Sequence, residues 1–268
     1  MSRISNSQYL RSKQYHNSTN LEARIALHAR FSLNPHGWQH WVFDQLSLSP
    51  GCRILELGCG PGTLWLENLE RLPQIEEIIL SDFSSGMVAQ AQKNLAGRMA
   101  AARFQTIDAQ SIPYREASFD SVIANHMLYH LPERGRALAE IRRVLKPGGQ
   151  LYATTGGVQH MSELYELVKR FDPEVAANGW YQEPIDFTLE NGQVQMSSWF
   201  RTIELRRYVD ALVVTEVEPL VDYILSTVRL SLRQERRSDL SSFIRYQMKN
   251  NGGSIRITKD SGMFIAWV

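Results

Sequence analysis

Cysteine is scarce in this chain: of 268 residues only Cys52 and Cys59 carry a thiol. They flank one short apolar segment, an arrangement that excludes a disulfide framework and suits reduced thiols in a cytoplasmic protein. An excess of charge is missing too. Lys and Arg number 29 against 28 Asp and Glu, for a net charge of +1, so nothing electrostatic argues for nucleic acid or another polyanion as partner. No apolar run is long enough for a membrane span or for the h-region of a signal peptide, and acidic residues interrupt the opening segment. Histidine and cysteine never fall at metal-site spacing, so no metal is expected. Internal repeats and low-complexity tracts are absent. What remains is a chain of a size that single α/β domains commonly reach.

What is present begins with Ile54-Leu55-Glu56-Leu57-Gly58-Cys59-Gly60-Pro61-Gly62. The apolar run over 53–57 predicts a buried parallel strand. Three alternating glycines follow, letting the backbone turn sharply and approach a ligand where a Cβ would collide. Glycines at such a turn can also serve packing alone. A second apolar run, Ile78-Ile79-Leu80-Ser81, ends in Asp82. That is about 20 residues past the loop, where a dinucleotide-type fold places the carboxylate that takes a ribose diol. The competing role for Asp82 is a helix N-cap, with Ser84 and Ser85 as rivals. Further strands are predicted over 104–107, ending in Asp108, over 119–124 and over 150–154, with helices between them. The alternation predicts an α/β fold with a doubly wound, mostly parallel sheet. Ala137, Leu138, Ile141, Val144 and Leu145 recur at helical spacing, and Lys146-Pro147-Gly148-Gly149 ends that helix.

The glycine loop with Glu56, Asp82, Ile107-Asp108-Ala109, Phe119-Asp120 with Asn125-His126, and Leu145-Lys146-Pro147-Gly148-Gly149 stand in one order. Together they resemble the successive motifs of class I S-adenosylmethionine-dependent methyltransferases, in the small-molecule group that includes ubiquinone and menaquinone methyltransferases. The resemblance implies a Rossmann-like, seven-stranded sheet that finishes in an antiparallel hairpin, with S-adenosylmethionine as cofactor and S-adenosylhomocysteine as product. It also implies roles. Gly58, Gly60 and Gly62 would line the amino-acid end of the cofactor, with Glu56 ordering the loop or reaching the methionine ammonium. Asp82 would hold the ribose and Phe83 lie along the adenine. Asp108 and Ala109 would meet the adenine edge, although Asp108 could equally cap the turn that follows it. Asn125 follows the fourth strand at the ligand-binding edge.

His126, Tyr129 and His130 crowd the same junction. One reading makes His126 or His130 a substrate contact or a general base near the ordinary imidazole pKa of about 6.5, with Tyr129 shaping the pocket. The other buries one histidine against backbone. Residues 1–50, rich in aromatics and histidines (Tyr9, Tyr15, His16, His28, Trp38 and Trp41 among them), are expected to form a helical cap, with helices over 20–32 and 38–46. Arg30 there is either a partner for the cofactor carboxylate or a surface arginine. Residues 51–157 would be the cofactor-binding core, and 158–268 the rest of the sheet with acceptor-binding insertions, all in one continuous domain. The span 173–199, carrying Trp180, Tyr181, Phe187 and Trp199, is expected to be a lid. Helices are expected over 160–171 and 219–232, a strand over 200–209, and a hairpin of 254–258 and 263–268 turning at Lys259-Asp260-Ser261-Gly262. The arginines of 229–237 suggest a solvated helix end. The chain is thus expected to methylate O, N or C of a small, aromatic or isoprenoid-like acceptor, as a monomer or homodimer. The alternatives are RNA or protein methylation, against which stands the absence of a basic appended domain and of an Asn-Pro-Pro-Tyr motif, or cofactor binding without turnover.

Overall fold

A computed structural model describes residues 19–178, 186–227 and 235–268. The apolar runs become five parallel strands: β1 Arg53–Leu57, β2 Glu77–Asp82, β3 Ala102–Thr106, β4 Phe119–Asn125 and β5 Leu145–Gly156. With β6 Thr202–Val214 and β7 Ile255–Trp267 they form one seven-stranded sheet in the order β3-β2-β1-β4-β5-β7-β6. Only β7 runs against its neighbours. Ahead of β1 lie α1 (Thr19–Phe31) and α2 (Trp38–Asp44); α3 (Thr63–Leu66) follows the glycine loop and α4 (Ser85–Leu95) follows β2. Next come α5 (Arg134–Val144), α6 (Ser162–Phe171), α7 (Pro173–Asn178), α8 (Gly192–Met196), α9 (Val217–Thr227) and α10 (Arg237–Asn250).

Successive side chains of a strand point to opposite faces, so each strand supplies two cores. Ile54, Ile78, Ile123, Tyr152 and Ile265 face α2, α3 and α4, whereas Leu55, Ile79, Val122, Leu151 and Phe264 face α5. A third core lies where β6 and β7 run on past the end of β5. There Leu212, Val214, Ile255 and Ile257 meet Leu27 of α1, Leu164 of α6, Leu220 of α9 and Ile244 of α10. The N-terminal helix is thereby fastened to the C-terminal strands, with Leu33 donating its N–H to the Ala211 carbonyl at 2.9 Å.

Three expectations change. Of the expected lid, 173–199, residues 173–178 form α7 and the described remainder, 186–199, packs into the α5-side core, where Phe187, Leu189 and Met196 are buried. Lys259-Asp260-Ser261-Gly262 is not a turn but the middle of β7, whose hairpin partner β6 precedes it by two helices. A helix over 237–250 stands where none was expected, and Arg236 and Arg237 at its start pair with Asp172 and with Glu218 and Asp222. Tyr9, Tyr15, His16, Trp180, Tyr181 and the arginines over 229–234 lie outside the described residues. Among the described residues, no helix is long and apolar enough to cross a membrane.

Candidate active site

The loop after β1 bends through three left-handed glycines, Gly58, Gly60 and Gly62, at φ 75°, 53° and 79°. An L side chain rarely adopts this backbone. At Gly58 space is short as well, because a Cβ would sit 3.0 Å from that of Met127 in the turn after β4. The loop is pinned on both sides: the Cys59 N–H donates to the Ser81 carbonyl at 2.8 Å, and Asn94 Nδ2 of α4 donates to the Pro61 carbonyl at 3.0 Å.

Two carboxylates close on this loop. Asp82, at the end of β2, accepts the Gly60 N–H on Oδ2 at 3.1 Å and the Ser84 N–H on Oδ1 at 2.8 Å. The Phe83 N–H donates to the same carboxylate, which still has room for a further donor among its four lone pairs. The N-cap of α4 is Ser84, whose Oγ accepts from the Met87 N–H, so Asp82 is not needed for that role. Burial raises the Asp82 pKa against the pull of those backbone donors. Glu56 is 2% exposed. It accepts Trp65 Nε1 at 2.5 Å and Asn125 Nδ2 at 3.4 Å, and burial lifts its pKa to about 7. Asn125 accepts in turn from Thr154 Oγ1 at 3.3 Å. Beyond β3, Asp108 accepts the Gln110 N–H at 2.9 Å, the turn-capping geometry. The Ile107 N–H donates to the Asp82 carbonyl at 3.2 Å, which ties the loop carrying Asp108 and buried Ala109 to the end of β2. Glycine loop, Glu56, Asp82, Phe83, Asp108, Ala109 and Asn125 therefore gather at the carboxyl edge of β1 to β4.

His126 continues this edge at φ 48°, an uncommon backbone for a non-glycine residue. Its N–H reaches both the carbonyl and Oγ1 of Thr154, at 3.2 and 3.0 Å. The ring lies 5.2 Å from Trp38 and 6.3 Å from Tyr129, which packs 4.5 Å from His130. Burial, helped by the charges of His160, Lys259 and His130, lowers the His126 pKa to about 3. The expectation of a base near 6.5 fails there: His126 is a neutral hydrogen-bonding group at physiological pH. Arg30 is not brought to the glycine loop. It ends α1 and pairs with Glu216 at 2.5 Å, largely in solvent. Trp65 and Asn94, which hold Glu56 and the glycine loop, went unmarked in the sequence, and Thr154 was marked only as the end of the fifth strand. The signal for Trp65 and Asn94 was position alone, one just inside the helix after the loop and the other on the helix after β2. A cavity of about 410 Å³ lined by Ser47, Cys52, Asp120, Lys146 and Gly148 lies at the opposite, amino edge of the strands.

Residues 55–153 match a family model described as a methyltransferase domain. The demethylmenaquinone methyltransferase of Lactiplantibacillus plantarum is 33% identical over 123 residues, 45% of this chain and 52% of that protein. The chain spans about half the length of the curated relatives it matches. The solved structure of YcgJ from Bacillus subtilis aligns with a TM-score of 0.59 at 17% identity, over 85% of this chain and 97% of that one. Phosphoethanolamine N-methyltransferase 2 of Haemonchus contortus, in complex with S-adenosyl-L-methionine, aligns with a TM-score of 0.61 at 18% identity, over 100% of this chain and 60% of that one. The fold is the Rossmann-like fold of class I methyltransferases, and the resemblance read from the motifs is borne out by the domain match.

Proposed function

We propose that the protein is an S-adenosylmethionine-dependent methyltransferase acting on a small organic acceptor. The observation that supports this most is the pairing of a left-handed glycine loop with two buried acids at one sheet edge, inside the segment that matches the methyltransferase domain. The chemistry of the donor set fits the cofactor. Asp82 is a buried carboxylate already held by backbone N–H groups, with a lone pair left for a ribose hydroxyl, and Glu56 is a buried acid that has no cationic partner among the described residues, as an ammonium requires. When bound, S-adenosylmethionine supplies an electrophilic methyl group that needs no further activation. The chain's own work is alignment and exclusion of water, which can supply roughly 7–11 kcal/mol of a barrier.

In this assignment Gly58, Gly60 and Gly62 follow the amino-acid end, Glu56 takes the ammonium, Asp82 the ribose, and Phe83, Asp108 and Ala109 the adenine. Asn125 bridges Glu56 to the acceptor side, where His126, Tyr129 and His130 face an aromatic or isoprenoid-like molecule. Asp82→Ala is expected to weaken S-adenosylhomocysteine binding at least tenfold by calorimetry with little change in thermal stability; unchanged affinity refutes the ribose assignment. Screening a metabolite extract with methyl-labelled cofactor then identifies the acceptor, and label appearing only in RNA or protein would replace the small-molecule reading.

A further inference from the structure

β6 is the last strand of the sheet, bonded to β7 on one side through an unbroken antiparallel register from Thr202 to Val214. Along such a strand the backbone N–H and C=O groups turn to alternate sides from one residue to the next. Two contacts from the segment after α1 show which residues turn outward. The Leu33 N–H donates to the Ala211 carbonyl at 2.9 Å, and Asn34 Nδ2 donates to the Val209 carbonyl at 3.1 Å. Odd-numbered residues of β6 therefore face away from β7. At Val209 and Ala211 this edge is covered, whereas among the described residues no hydrogen bond reaches the outward backbone of Ile203, Leu205 or Arg207. Their N–H and C=O groups form an open edge, which is a template for another strand.

Charged side chains on an edge ordinarily keep other strands away. Glu204 and Arg206 stand on one face of the open stretch, Arg206 Nε 2.8 Å from Glu204 Oε1, with side chains 48% and 41% exposed. A second copy of β6, laid antiparallel, meets them favourably in one register. Centred on Glu204, the two strands set Glu against Glu; centred on Arg206, they set Arg against Arg. Centred on Leu205, each Glu204 lies opposite the Arg206 of the other copy, at the narrow spacing of about 4.5 Å between Cα atoms where cross-strand charges attract most directly. The same register sets the outward backbone of Leu205 against itself and that of Ile203 against that of Arg207. Every open group then finds a partner, and the covered stretch from Val209 onward is not needed. Exposed apolar side chains flank the edge: Val209 on β6 is 85% exposed, Leu33 belongs to the covering segment, and Val194 stands on α8, which packs against β6.

We propose that β6 is a homodimer interface, at which two copies of this chain join their sheets antiparallel through residues 203–207 about a two-fold axis at Leu205. The joint does not depend on the methyltransferase reading. Sedimentation velocity on the full chain tests it, and the wild type is expected to populate a dimer between about 1 and 100 μM. Glu204→Arg and Arg206→Glu should each raise the dimer dissociation constant by about tenfold or more, because each sets like charges against each other in this register. Mixed in equal amounts, the two variants should dimerise again to within about threefold of the wild type, since opposite charges then meet at both crossings. The doubly exchanged E204R/R206E chain should do the same alone, with its net charge unchanged. Both side chains lie at the surface, so far-ultraviolet circular dichroism of every variant should match the wild type. A wild type that stays monomeric at the highest concentration, a dimer indifferent to either single reversal, or a mixture and double exchange that both remain monomeric overturns the proposal.

Discussion

Glu56 is a carboxylic acid held out of water at a strand end, with an indole N–H and an amide as its partners. Its pKa near 7 against an ordinary 4.5 makes it a source of pH-dependent stability. Below pH 4.5 both the folded and the unfolded chain hold the proton. Between 4.5 and 7 the unfolded chain releases it while the fold retains it, so stability falls with rising pH, by about 3 kcal/mol once the folded group has ionised. Glu56→Gln should remove that slope: urea titrations of the two proteins are expected to converge at pH 4.5, diverge up to pH 7 and run parallel above it. At the same scale, His126 holds a left-handed backbone that asparagine also tolerates. His126→Asn should therefore leave S-adenosylhomocysteine affinity within about twofold while lowering methyl transfer at least tenfold; full turnover in this variant would remove His126 from the acceptor side.

At the scale of elements, β7 shows how a turn-like composition becomes a strand. Lys259 pairs across the ladder with Asp210, and Asp260 pairs with Arg207, so the two charged residues that suggest a turn are satisfied by partners on β6. Gly262 is required for proximity rather than for φ. A Cβ there would lie 2.5 Å from the Arg206 carbonyl oxygen, which belongs to the β6 backbone and cannot step aside. Gly262→Ala is expected to cost about 2 kcal/mol or more, read as a lowered urea midpoint. A midpoint equal to that of the wild type would show that β6 and β7 lie further apart than this.

For the molecule as a whole, the position of β7 matters most. It sits between β5 and β6, carries Phe264 and Ile265 into the two faces of the sheet, and carries Ile257 into the third core. Deleting 255–268 should abolish cooperative unfolding rather than shorten the fold, because all three cores lose a wall at once. Loss of the near-ultraviolet circular dichroism signal checks this; a truncated chain with a sharp thermal transition would refute it. α1 reports on the same coupling, since Leu27 and Phe31 are buried against the β6 and β7 extension and bring His28 with them.

The sequence by itself determined the sheet's parallel half, the glycine loop and the positions of Glu56 and Asp82. Those features depend on neighbours within a few residues: apolar runs that must be buried and a turn that only glycine makes cheaply. The tertiary structure decided what depends on distant partners. Arg30 was legible as a cation, but Glu216 claims it. His126 was legible as an imidazole, but its neutrality comes from burial and from His160 and Lys259 far along the chain. The 186–199 segment was legible as aromatic, but that Phe187 fills a core was decided by a distant partner, Phe264 of β7, 5.8 Å away. Long-range charge, burial and space are properties of the assembled layers, and no local pattern encodes them.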